Sequence, residues 1–106
     1  MIRTTYRPGM VLGPKDVYVG RGSGRTHMNS GLVPGTWGWL GNPFDEKVYG
    51  LDRCIQMFAQ AFVYKLEHDP AFKAAVDALD VDRVLCWCPI NNPCHGDSIV
   101  AYLEER

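Results

Sequence analysis

Arg83-Val84-Leu85-Cys86-Trp87 follows a long stretch of helical periodicity, and the reading of this short apolar run decides the fold. Its β-branched and aromatic content predicts a buried strand. Upstream, Asp16-Val17-Tyr18-Val19-Gly20 has the same character and closes on a glycine. Between the two runs, Ile55, Phe58, Ala59, Phe62 and Leu66 recur at helical spacing and predict an amphipathic helix over Leu51 to His68. Asp69-Pro70 ends that helix and starts another. Asp69 suits the cap, Pro70 the first turn, and Phe72, Ala75, Val76 and Leu79 one buried face. Downstream, residues 88–96 read as a loop punctuated by Pro89, Pro93 and Gly96, and a last helix begins near Asp97 with Ile99, Val100 and Leu103 turned inward. Two strands separated by helices are most simply parallel neighbours, so the expected fold is a small α/β domain with helices packed on a parallel sheet. Ligands of such sheets gather beyond the carboxyl ends of the strands. Both irregular segments, 21–44 and 88–96, leave carboxyl ends.

The chain has 106 residues, which is one domain's worth, and its 46% hydrophobic and 22% charged content is that of an ordinary globular protein. Its net charge of −1 provides no general attraction for duplex nucleic acid or acidic membranes. That total hides an asymmetry. Residues 1–44 hold five basic residues against Asp16 alone, a surplus of +4, whereas residues 45–106 stand at −5. Nine of the eleven glycines also lie in residues 1–44, so positive charge coincides with backbone free to bend around a ligand. No run approaches the roughly 18 apolar residues needed to span a bilayer, and Arg3, Arg7, Pro8 and Gly9 interrupt the N-terminus where a secretory signal would need an apolar run. A soluble cytoplasmic protein is expected. Its four cysteines are then reduced thiols or metal ligands.

Three segments carry possible chemistry. In Gly20-Arg21-Gly22-Ser23-Gly24-Arg25, glycine N–H groups and two guanidinium groups suit phosphate or carboxylate, although neither the dinucleotide fingerprint nor a P-loop is matched. The plainer alternative is a solvated turn. In Trp37-Gly38-Trp39-Leu40-Gly41-Asn42-Pro43-Phe44, the rings suit stacking on a base and Asn42 suits its polar edge; the alternative is a lid packed on the core, with Asn42 bonded to its own loop. The third segment runs from Cys86 to Asp97. Cys86 and Cys88 share a strand face, and a returning loop bringing Cys94 and His95 would complete a Cys86, Cys88, Cys94, His95 set compatible with tetrahedral zinc. The alternative has buried or merely reduced thiols. Cys94 at a helix start also suits a reactive thiolate, whereas a zinc deaminase is disfavoured because the chain has no H-x-E.

Four ordered blocks, Val17-Tyr18-Val19-Gly20-Arg21-Gly22-Ser23, Gly41-Asn42-Pro43-Phe44, Leu85-Cys86-Trp87-Cys88 and Cys94-His95-Gly96-Asp97, resemble a family known as domain of unknown function 4326, over roughly residues 16–103. The family occurs in bacteriophages and bacteria, so the resemblance implies a small phage-type domain and marks the four blocks as a candidate site without supplying a reaction. The segment Gly24–Thr36 is longer here than the family's usual link. The leading expectation is a pocket between the 21–44 and 88–97 loops for a small anionic ligand, a nucleotide or nucleoside derivative. Arg21, Gly22 and Ser23 would hold the charged group, Asn42 would read a polar edge, and His95 and Asp97 would complete the pocket. The alternative is a non-enzymatic module that engages a partner such as a host protein and is held together by a zinc site at Cys86, Cys88, Cys94 and His95.

Overall fold

The computed structural model describes residues 1–88 and 92–106; Pro89, Ile90 and Asn91, inside the loop expected to face the site, lie outside the described residues. The elements are β1 (Ile2–Thr5), β2 (Asp16–Tyr18), a 3-10 turn (Ser23–Arg25), α1 (Glu46–Tyr49), α2 (Leu51–His68), α3 (Pro70–Asp77), β3 (Arg83–Cys86) and α4 (Gly96–Glu105). The architecture is α/β. Its sheet is three-stranded and parallel in the order β1-β3-β2, with Val17 opposite Val84 and Arg3 opposite Val84 on the other side. The two sequence-predicted strands are parallel neighbours, which puts the loops after β2 and β3 at one end of the sheet.

β3 takes the centre because Val84, Leu85 and Cys86 are apolar on both faces and wholly buried, as a strand between two parallel neighbours must be. β1 is the strand that the sequence reading did not contain. Ile2-Arg3-Thr4-Thr5 has no apolar alternation and Ile2 is 59% exposed, which fits an edge position. One more bond continues each ladder toward the site, Tyr6 N–H to the Cys86 carbonyl at 2.6 Å and Val19 N–H to the Leu85 carbonyl at 2.8 Å.

Among the helices, α2 buries Cys54, Phe58, Phe62 and Leu66, a row at intervals of four residues; the last three join the core with the sheet and α3, while Cys54 meets Asn42 and Phe44 of the loop. Asp69 caps α3 by accepting the Phe72 N–H at 3.0 Å, and Pro70 occupies its first turn as expected. α4 turns Ile99 and Leu103 into the same core. Its start differs from the expectation by a residue. Asp97 sits inside the first turn rather than at the cap, and its Oδ2 accepts the Cys94 N–H at 3.1 Å.

The register of β2 on β3 is fixed at its outset by Asp16 and Arg83, which are paired residues in the ladder. Arg83 Nε and Nη2 each donate to the Asp16 carboxylate at 2.8 Å, and the Gly13 N–H adds a third bond at 2.8 Å. The Arg83 hydrogen bond, then the Gly13 N–H, hold the Asp16 carboxyl down at about 2, from an ordinary 3.8. A depressed carboxyl contributes stability above its unfolded pKa and loses it as pH falls through the folded one. Urea midpoints of the parent chain should therefore fall between pH 4 and pH 2, and Asp16→Asn should flatten that part of the profile. An unchanged acid slope in Asp16→Asn would contradict this assignment.

Candidate functional site

Because the strands are parallel, β1, β2 and β3 deliver Tyr6, Val19 and Trp87 to the same edge of the sheet. A cavity of about 350 Å³ lies there, lined by Gly20, Arg21, Arg25, Asn42 and Phe44 from the first loop. Leu51, Cys54 and Ile55 of α2 line it further, and Asp45, Glu46 and Lys47 contribute from the start of α1. Cys86, Trp87 and Cys88 from the end of β3, with Cys94 and His95 before α4, close it.

The first loop is held by backbone packing. A Cβ on Gly38 would stand 2.5 Å from the Gly22 nitrogen, and one on Gly41 would stand 2.9 Å from the Gly20 carbonyl oxygen. Glycine recurs here because residues 20–22 and 38–41 touch main chain to main chain. The Gly22 N–H is spent on the Thr26 carbonyl at 2.9 Å, and the Ser23 carbonyl accepts the Thr26 hydroxyl at 3.1 Å. Among the described residues, Gly22 and Ser23 are not part of the cavity lining. Arg21 does line it, with Nε donating to the Asn42 carbonyl and Nη2 to the Phe44 carbonyl, both at 2.8 Å. Its charge faces no carboxylate in these bonds, so it remains a fixed cation that also braces the loop.

Asn42 is buried, and its amide is used internally. Oδ1 accepts the Phe44 N–H at 2.9 Å and Nδ2 donates to Cys54 Sγ at 3.1 Å. Asp97 belongs to the β1 side, where its Oδ1 accepts from Arg3 Nε at 2.7 Å. Two further cations line the cavity, Arg25, whose guanidinium the glycine-loop motif already offered, and Lys47, which the sequence reading missed. Arg25 reaches Asp45 at 3.4 Å, a solvent-exposed pair of small energetic weight. The available signal was Asp45 three residues before Val48, since Asp45 caps α1 through the Lys47 N–H at 2.9 Å and so sets Lys47 at the cavity.

Of the aromatic residues at this edge of the sheet, Phe44 and Trp87 line the cavity, and the others pack behind them or on the core. Trp39 is core, edge-on to Phe72 at 5.7 Å, whereas Trp37 is 44% exposed and stacks on Tyr18 at 3.9 Å. Tyr6 packs between Tyr18 and Trp87, each at 5.1 Å. Trp87 Nε1–H donates to the Tyr18 hydroxyl at 2.7 Å, which in turn donates to the Arg21 carbonyl at 2.8 Å. Trp87 remains 55% exposed at the cavity.

The thiols of Cys86, Cys88 and Cys94 converge, with their sulfur atoms all within 4.8 Å of one another, a separation at which one metal ion can be shared. Cys94 Sγ stands 3.1 Å from Cys86 Sγ, Arg3 Nη1 donates to Cys86 Sγ at 3.5 Å, and the Gly96 N–H points at Cys94 Sγ from 3.4 Å. Hydrogen bonds from Cys88 and Cys94, and then from Arg3, push Cys86 far below the ordinary thiol range. Donating to Cys86 pushes Cys88 and Cys94 up. The Arg3 guanidinium borders this cluster.

His95 is brought close but not into the sulfur set. Its Nε2 lies 2.6 Å from the Val19 carbonyl, so that nitrogen bears the proton, and Nδ1 is an acceptor 3.7 Å from Cys94 Sγ. Burial lowers its pKa and keeps the ring neutral. Phe58 of α2 supports it edge-on at 4.8 Å.

The chain belongs to the family described as domain of unknown function DUF4326, whose model matches residues 2–105. The match takes in β1 and all of α4, beyond the span carried by the four blocks. No curated protein and no solved structure matches the chain. Among the described residues, no helix is long and apolar enough to cross a membrane.

Proposed function

We propose that the domain binds one small anionic ligand, a nucleotide or nucleoside derivative, in the cavity at the carboxyl edge of its sheet. The observation that carries this reading is that one space of about 350 Å³ is lined by the three cations Arg21, Arg25 and Lys47, against the two carboxylates Asp45 and Glu46, together with the partly exposed Trp87. That volume suits a single small molecule. The cations match a phosphate by charge-assisted hydrogen bonds, and the indole matches a base by stacking. Asn42, Gly22, Ser23 and Asp97 serve this pocket by fixing the loops that form it. Calorimetric titration of the reduced chain with nucleoside monophosphates is expected to show binding of at least one of them. Lys47→Ala should weaken it about tenfold or more, as a charge-assisted bond of roughly 1.5–3 kcal/mol implies. Tyr64→Ala, on the outer face of α2, should leave it unchanged. Binding indifferent to Lys47→Ala, or no binding by any nucleotide, would refute the proposal.

The sulfur cluster favours a second reading, zinc held by Cys86, Cys88 and Cys94 with His95 as the fourth ligand, stabilising a module whose exposed Trp37 and Trp87 meet a protein partner. This reading expects stoichiometric zinc by elemental analysis and loss of folding on chelation.

A further inference from the structure

We infer that Cys86, Cys88 and Cys94 form an open metal centre whose remaining coordination position faces the cavity, where it accepts a nitrogen, oxygen or sulfur donor of the bound ligand. This inference rests on the cavity reading and on the metal-binding part of the zinc reading, and it departs from the latter on the fourth ligand. Three observations carry it. The sulfur atoms lie within 4.8 Å of one another, against about 3.8 Å between thiolates around a tetrahedral ion with metal–sulfur bonds of about 2.3 Å, so sub-ångström shifts bring them to one ion. All three cysteines line the cavity, so an ion held by them borders the space that takes the ligand. His95 is engaged elsewhere, with Nε2 on the Val19 carbonyl at 2.6 Å, and its Nδ1 stands 3.7 Å from Cys94 Sγ, outside the set of converging sulfur atoms.

The surroundings suit a cluster of negative sulfur. The Arg3 side chain is 9% exposed and its Nη1 donates to Cys86, while the Gly96 N–H at the start of α4 serves Cys94. A set of three thiolates selects a soft or borderline ion such as zinc. Three protein ligands with a fourth position left open is the arrangement of zinc sites that touch a ligand, whereas structural sites are closed by four. Trp87 follows Cys86 directly and lines the same cavity, so the ligand class that satisfies both groups is a planar heteroaromatic ring bearing a donor atom.

Cobalt(II) is the probe. The full-length reduced, metal-free chain should take up one equivalent, with thiolate-to-cobalt charge transfer in the near ultraviolet and visible bands of a four-coordinate ion. Azide should shift the visible bands by entering the open position. His95→Gln, which keeps a donor for the Val19 carbonyl, should retain uptake and the charge-transfer intensity, while Cys88→Ser should lower that intensity by about one third. The azide response of the parent chain decides the matter even if a variant fails to fold. No stoichiometric uptake would overturn the metal centre and leave nucleotide binding to the metal-free chain as a separate result. Uptake that ignores azide, or that is lost in a folded His95→Gln, would overturn the open position. Uptake that responds to azide in a chain that binds no nucleotide would sustain the centre and sink the cavity reading.

Discussion

Replacing Phe58 with alanine is expected to lower the unfolding free energy by about 3–5 kcal/mol, the usual range for a buried phenylalanine truncated to a methyl. Phe58 is wholly buried in the middle of α2, stacked on Phe62 at 5.6 Å and touching the His95 ring at 4.8 Å. The loss combines apolar surface no longer removed from water with a cavity that a central helix position cannot collapse to fill. A domain of this size is stable by about 5–15 kcal/mol in total, so the variant should sit near its folding limit. The same substitution takes away the ring that supports His95 beside the thiols. Denaturant melts at neutral pH measure the first effect. A loss under about 1 kcal/mol would mean that α2 is not seated on the sheet as described.

Gly38→Ala should cost about 2–5 kcal/mol, from a strained backbone of about 1–3 kcal/mol and overpacking of similar size. Gly38 has φ +101°, and a Cβ there would lie 2.5 Å from the Gly22 nitrogen and 2.8 Å from its Cα. Both neighbours are main chain, so relief requires residues 20–22 to separate from 38–41. Those segments carry Gly20, Arg21 and Asn42 of the cavity wall. Stability and nucleotide affinity should therefore fall together in Gly38→Ala. Gly35→Ala, also at positive φ but with open space around its Cβ, should show the smaller loss of backbone strain alone. Equal losses in the two variants would contradict the close loop packing.

α2 was legible because burial on one face of a long helix leaves a repeat that solvent-facing residues cannot imitate. The parallel pairing of β2 and β3 followed from chain order, since strands with helices between them have little other choice. β1 was not legible. An edge strand buries little, and Ile2-Arg3-Thr4-Thr5 shows only β-branched content, which is a weak signal in four residues. The cavity's position was legible, because the loops after β2 and β3 leave the same edge of a parallel sheet. The roles of its residues were less so. Gly22 and Asn42 have the composition of ligand-binding residues, yet the same properties, absent Cβ and a two-way amide, serve a loop that must satisfy itself when buried. Cys86, Cys88 and Cys94 do converge, but not on one strand face, because β3 ends at Cys86 and Cys88 lies in the bend beyond it. Spacing could not place His95, whose direction is set by the Val19 carbonyl of a different strand's end.

The central claim is that one pocket at the carboxyl edge of the sheet receives a nucleotide-type ligand. Backbone amide chemical shifts of the nitrogen-15-labelled, reduced chain, followed while a nucleoside monophosphate is added, test it most directly. Saturable shifts concentrated at Gly20, Arg21, Lys47, Trp87 and Cys88 are the predicted result. Shifts absent for every nucleotide, or confined to the outer face of α2 around Tyr64 and His68, would contradict it.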